Sequence, residues 1–98
     1  MKVPILLPNI FNHPFTYESD INLRPGDYVV VPFGNSKITG VVWDEFEKNN
    51  NKNFKIKTVL KKLNVTPLKK TTIKFLNWFA EYNIIPKGMA LKLVLLSS

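Results

Sequence analysis

The chain has no cysteine, one histidine, one arginine and four glycines in 98 residues. Each shortage closes a class of chemistry. Without cysteine there is no disulfide framework, no thiolate zinc site and no thiol nucleophile, and His13 alone cannot build a multi-histidine metal cluster. The chain also carries no Gly-rich phosphate loop, no GxSxG and no HExxH, so nucleotide hydrolysis, serine hydrolysis and zincin chemistry have no apparatus. The longest apolar stretches, such as Met89 to Leu96 with Lys92 inside it, are far short of the ~20 residues a membrane span needs. The N-terminal MKVPILLPNIF lacks a small-residue cleavage site, so a soluble, cytoplasmic chain with no membrane partner is expected. His13 could pair with Glu18 or Asp20 as an acid/base unit, but a lone histidine before proline in a loop is as a rule solvent-facing. The acidic trio Asp44, Glu45 and Glu47 lacks the Gly-centred spacing of a divalent-cation loop and reads as solvated charge.

What the chain has in excess is lysine and asparagine. The formal charge is +7, with thirteen Lys, one Arg and eleven Asn. Lysines that displace counterions from phosphates favour a nucleic-acid partner. A Lys/Asn/Ile-heavy usage is equally what an AT-rich coding sequence gives any protein, so charge alone leaves the partner open.

A single domain, residues 1–98, divides into a β part over about 1–65 and a helical part over about 66–98. Val3 to Leu7 and Phe15 to Glu18 read as short strands. Arg24-Pro25-Gly26-Asp27 is a turn, and Tyr28 to Trp43, YVVVPFGNSKITGVVW, holds two β-branched runs joined through Gly34 and Asn35, residues with left-handed turn chemistry. Asp44 to Asn53 reads as an exposed loop and Lys55 to Leu63 as a further strand. Short strands at this spacing predict a small barrel or highly curved sheet. Beyond Thr66-Pro67 the pattern predicts a helix over Thr71 to Tyr82, with Thr71 or Thr72 as N-cap and Asn83 at its C-terminus, then a second helix over Met89 to Leu96. The fold class is therefore mainly β with two C-terminal helices (α+β). The first helix has apolar residues on more than one face, so one side is expected to stay partly exposed and to await a partner.

Lys55 and Lys57 alternate with Ile56 on the expected strand, while Lys61-Lys62 and Lys69-Lys70 flank its exit and the helix approach. They line a phosphate-tracking groove, or they protect an edge strand from aggregation.

The ordered pieces HPFTY (13–17), LRPGDYVVVPFG (23–34), ITGVV (38–42), IKTVLKKL (56–63) and WFAEYNIIPKG (78–88) resemble the N-terminal domain of the bacterial primosomal replication-restart helicases, the PriA family. The resemblance implies a domain that binds the 3′ end of the nascent leading strand at a stalled replication fork. It implies a fragment of a larger bacterial, nucleoid-associated helicase whose ATP- and magnesium-dependent motor and zinc region lie in later domains. This chain alone would then be no enzyme and need no cofactor. The family's end-binding pocket falls on the aromatic-X-Tyr motif Phe15, Thr16 and Tyr17, on Gly34 and on Lys57, with Lys55, Lys61 and Lys62 as further phosphate contacts. Phe33 either anchors its turn in the core or walls the pocket. The family often has Asp where this chain has Thr16, which exchanges a charged acceptor for a neutral hydroxyl. Partners so implied are the 3′-hydroxyl end of a branched fork, the later domains of the same protein and other primosome components. An RNA-binding small barrel and a scaffold domain that docks through its exposed helix remain open alternatives.

Overall fold

The computed structural model describes residues 1–9, 11–47 and 55–96. Strand β1 (Lys2–Leu6) pairs antiparallel with β2 (Phe15–Glu18) on one side and with β4 (Ser36–Val42) on the other. Strand β3 (Tyr28–Phe33) forms a hairpin with β4 and also pairs with the two-residue β5 (Lys61–Lys62), giving the order β2-β1-β4-β3-β5. Helices α1 (Lys70–Asn83) and α2 (Lys87–Leu96) follow. The expected loop over 44–53 has no regular structure as far as Glu47, and its remainder lies outside the described residues.

The period-two alternation of the strands sorts their side chains into two cores. Val3, Ile5, Leu7, Tyr17, Val29, Val31 and Val59 bury one face, with Phe15 and Phe33 packed at its margin. Leu6, Val41 and Trp43 point to the other, where Ile73, Leu76 and Ala80 of α1 and Ala90 and Leu91 of α2 cover them. Each such side chain contributes roughly 1.5–3 kcal/mol on burial, so a one-residue slip, which exchanges the faces, is strongly disfavoured. The Trp43 indole N–H donates to Asn77 Oδ1 at 2.9 Å and ties α1 to the sheet.

The sheet is curved and open, not closed into a barrel. Its edges, β2 and β5, approach through one isolated parallel bridge between Glu18 and Thr58. The expected strand over 55–63 is divided for this reason. Its early part binds β2, through Glu18 N–H to Lys57 O (2.9 Å) and Val59 N–H to Glu18 O (2.8 Å). Its later part binds β3, through Leu60 N–H to Val30 O and Leu63 N–H to Tyr28 O. A segment that passes from one edge to the other cannot run a long ladder with either, and only Lys61–Lys62 remain a strand.

Helix α1 starts one residue earlier than expected, and neither Thr71 nor Thr72 caps it. The extended Lys69 precedes it with no side-chain cap, and the entry is fixed instead by Leu68 N–H donating to Gly26 O at 2.8 Å. It ends at Asn83 as expected, and Ile84 just beyond takes the left-handed conformation (φ 55°), with Ile85 N–H bonded to Ala80 O at 2.9 Å in the manner of a Schellman cap. Helix α2 begins at Lys87, whose N–H is accepted by Asn12 Oδ1 at 2.9 Å, while Gly88 N–H donates to Phe11 O at 3.0 Å.

Two substitutions probe these constraints in opposite directions. At Gly40, where β4 crosses β1, a Cβ would sit 2.7 Å from Ile5 Cγ2 and 3.0 Å from Leu6 O. Gly40→Ala is expected to lower unfolding free energy by about 1–3 kcal/mol in urea titration, as overpacking in a filled core does. Ile84→Gly removes a β-branched residue from a conformation that costs it roughly 1–2 kcal/mol and adds some unfolded-state entropy, so a net gain of about 0.5–1 kcal/mol is expected in the same assay.

Candidate nucleic-acid interface

The β3–β4 hairpin turns through two residues between the paired Phe33 and Ser36. Gly34 has φ +60°, whereas Asn35 is not left-handed, so the turn follows the II′ pattern, with a single Gly-dependent position. A Cβ built on Gly34 meets nothing within 4 Å. The backbone of the turn is thus open to a ligand on the side where any other residue would place a side chain.

Lys57 reaches this turn from a different part of the chain. The hydrogen bond from Glu18 N–H fixes its carbonyl, and its exposed side chain carries Nζ to 3.5 Å from Gly34 O. Next to them stand the rings of Phe15 and Phe33, 5.5 Å apart at 66°. Phe33 is half-buried against the sheet core, which is the anchoring arrangement for a turn aromatic, and it also forms one side of this cluster.

The residues expected from the sequence are not all brought together. Phe15, Gly34 and Lys57 converge. Tyr17 lies in the core, its hydroxyl donating to Pro32 O at 2.8 Å, and burial pushes its phenol above the usual value of 10.0. Its part is to hold β2 against the strand that carries the turn. Thr16, half-buried and paired with Pro4, points to the face opposite Phe15 and Tyr17, as alternation on a strand requires. Because β2 is an edge strand, both of its faces border the same rim. Lys55 is exposed in irregular chain, and Lys61 and Lys62 are exposed on β5 rather than on the expected longer strand.

Two rings join this cluster that the reading of the sequence did not assign to it. Phe11 lies 5.1 Å from Phe15 and 6.1 Å from Phe33, and His13 lies 4.9 Å from Phe15. The signal was present as the alternation Phe11, His13, Phe15, three rings at every second position. His13 Nδ1 is 3.1 Å from Pro14 O and 3.6 Å from Glu47, so the ring is engaged away from the turn.

A cleft of about 920 Å³ opens on the other side of His13, between α1 and residues 43–47. Its lining carries Glu45, Glu47 and Glu81 against the single cation Lys87, a net negative charge that disfavours phosphate. The rim at the turn, which presents the Lys57 ammonium, is therefore the better surface for a polyanion. The outer side of α1 is a third surface. Phe75, Trp78 and Tyr82 are exposed there, Trp78 by 55%, and the Trp78 and Tyr82 rings stack at 5.2 Å. This is the partly exposed helix side expected from the apolar residues on more than one face of α1.

Residues 2–96 match the family of PriA 3′ DNA-binding domains (3′BD). The replication restart protein PriA of Rickettsia conorii is 36% identical over 97 residues, and those of Rickettsia prowazekii and Rickettsia typhi are 36% and 35% identical over 95. Each alignment covers 93% of this chain and 14% of the relative, so the chain spans about one-seventh of the relatives' length. A match over nearly every residue, on a sheet and helix pair that set an open glycine turn beside a lysine, shows that the chain belongs to the PriA 3′ DNA-binding domain family.

Proposed function

We propose that this domain recognises the 3′-hydroxyl end of the nascent leading strand at a stalled replication fork, as one module of a longer replication-restart helicase. The observation that carries the reading is the meeting of Lys57 Nζ with the Gly34 carbonyl, 3.5 Å apart, beside a half-buried aromatic ring. A terminal phosphodiester finds a cation there, the sugar finds a backbone without a side chain in the way, and the base finds a ring. DNA is favoured over RNA by the family's description, and the helix-docking alternative becomes a second role of the same domain. In that role the rest of a longer polypeptide, or another primosome component, covers Phe75, Trp78 and Tyr82. The domain itself needs no metal or nucleotide, and ATP, magnesium and zinc belong to other parts of such a protein.

A fluorescence titration with a recessed 3′-hydroxyl duplex, a blunt duplex and a structured RNA tests the reading, and the recessed end is expected to bind most tightly. Equal affinity for all three overturns it. Lys57→Ala is expected to weaken binding and to reduce the slope of log affinity against log salt by roughly 0.7–0.9, the share of one phosphate contact. An unchanged slope would assign Lys57 to edge protection.

Thr16 tests how the terminus lies on the rim. A 3′ end that meets Phe15 and also hydrogen-bonds Thr16 straddles the outer edge of β2 at residues 15–16, ahead of the bridge at Glu18. Thr16→Asp is then expected to preserve or improve binding to a 3′-hydroxyl, because a hydrogen bond to a charged acceptor contributes about 1.5–3 kcal/mol before desolvation. The same change is expected to weaken binding to a 3′-phosphate. The ratio of the two affinities, measured at one salt concentration, reads the effect, and an unmoved ratio places residue 16 outside the site.

A further inference from the structure

Four aromatic rings meet at the end of the sheet that carries Gly34 and Lys57, and they differ in what they can offer a ligand. Phe15 and Phe33 are half-buried and packed against the core, so much of their area is already spent. Phe11 is the outer ring, 36% exposed and outside the core cluster. Backbone contacts hold it there. Its carbonyl accepts from Gly88 N–H at 3.0 Å, its N–H donates to Asn9 Oδ1 at 3.1 Å, and the next residue, Asn12, accepts from Lys87 N–H. An exposed ring on a fixed backbone loses little freedom when a partner lands on it.

The ring planes supply the second constraint. Phe11 and Phe15 are 5.1 Å apart at 85°, so a flat group lying face-on to Phe11 stands edge-on to Phe15. Phe33, 6.1 Å from Phe11 at 68°, connects this corner to the turn whose next residue, Gly34, faces Lys57. His13 does not compete for the same role, because its Nδ1 is turned to Pro14 O and Glu47.

We propose that Phe11 is the base-stacking wall of the end-binding site, with the base of the 3′-terminal nucleotide lying face-on to Phe11 and edge-on to Phe15 while Lys57 meets its phosphate. This rests on the reading of the domain as a 3′-end binder and adds a residue to it. Stacking on a ring accepts any of the four bases, so the wall senses that a base is present, not which base it is.

The test compares two recessed 3′-hydroxyl duplexes, one with an ordinary terminal nucleotide and one whose terminal nucleotide is abasic, by fluorescence anisotropy with the 98-residue chain. The unaltered protein is expected to bind the abasic end about tenfold more weakly, within the range measured for base–aromatic stacking. Phe11→Leu, which keeps an apolar side chain, is expected to bind the intact end about tenfold more weakly and to lose the distinction between the two ends. Phe11→Trp, which keeps a ring, is expected to retain both the affinity and the distinction. The inference is overturned if the unaltered protein ignores the missing base, if Phe11→Leu distinguishes the ends as the unaltered protein does, or if Phe11→Trp behaves like Phe11→Leu. Should Phe11→Leu fail to fold, the unaltered protein and Phe11→Trp still decide. The unaltered protein binding a recessed 3′ end no better than a blunt duplex sinks the end-binding reading itself, a failure distinct from those three.

Discussion

Two hydrogen bonds on one residue hold the architecture to its function. Glu18 donates its N–H to Lys57 O and accepts from Val59 N–H, so the chain around Thr58 is pinned to the outer edge of β2 before it crosses to β3. Each bond contributes only about 1 kcal/mol net, much less than the burial of the two cores. Their consequence is positional. They bring a segment near the end of the β part alongside the second strand, and so set a lysine against a hairpin turn 23 residues away in sequence. Without that crossing the open sheet would leave Lys57 and Gly34 on unrelated margins.

The two faces of the sheet divide the remaining work. One is covered by the helices and supplies stability through Trp43, Leu76 and Leu91, among others. The other is covered by the curl of the sheet and by Val59, and at its margin the side chains are aromatic and only half-buried. Charge follows the same division in part. The acids at 45, 47 and 81 gather around the cleft beside α1, while the rim near the turn presents the Lys57 ammonium. A polyanion that approaches the domain is steered by both signs, toward the rim and away from the cleft. The Glu18 carboxylate, close to the rim, is held below its ordinary range by a hydrogen bond from the N-terminal ammonium, and that partner offsets its charge there.

Where sequence sufficed, local chemistry and tertiary demand agreed. The β-branched runs of 28–31 and 37–42, the Pro-Gly turn at 25–26 and the apolar periodicity of α1 each specify one local structure, and the fold uses each as specified. The failures have physical causes. The alternation of Lys55, Ile56 and Lys57 imitates a strand, but backbone partners lie on two different edges, which no local pattern records. The left-handed residue that closes α1 after Asn83 is Ile84, in a conformation its own β-branched side chain disfavours, so no local propensity marks it. The start of α1 is set by a tertiary hydrogen bond from Leu68 N–H to Gly26 O, which no local cap signal records. Within the site, the meeting of Phe15, Gly34 and Lys57 followed from a family pattern and not from spacing. The same pattern grouped Thr16 with Phe15, although the two-residue period already separated them by face. Phe11 was not marked by that pattern, and an aromatic residue in the short run Asn9-Ile10-Phe11-Asn12 looks like loop filler until the topology brings Phe33 beside it.

The hydrogen bonds that join Phe11 and Asn12 to the first residues of α2 also have an evolutionary consequence. A loop between two strands is ordinarily free to lengthen or shorten, since its cost grows slowly with length. This one is not, because its backbone also closes the N-terminus of a helix some 75 residues further on. An insertion before His13 or in the link between the helices shifts both at once. A change in the length of this loop therefore has to be matched by a compensating shift at the start of α2.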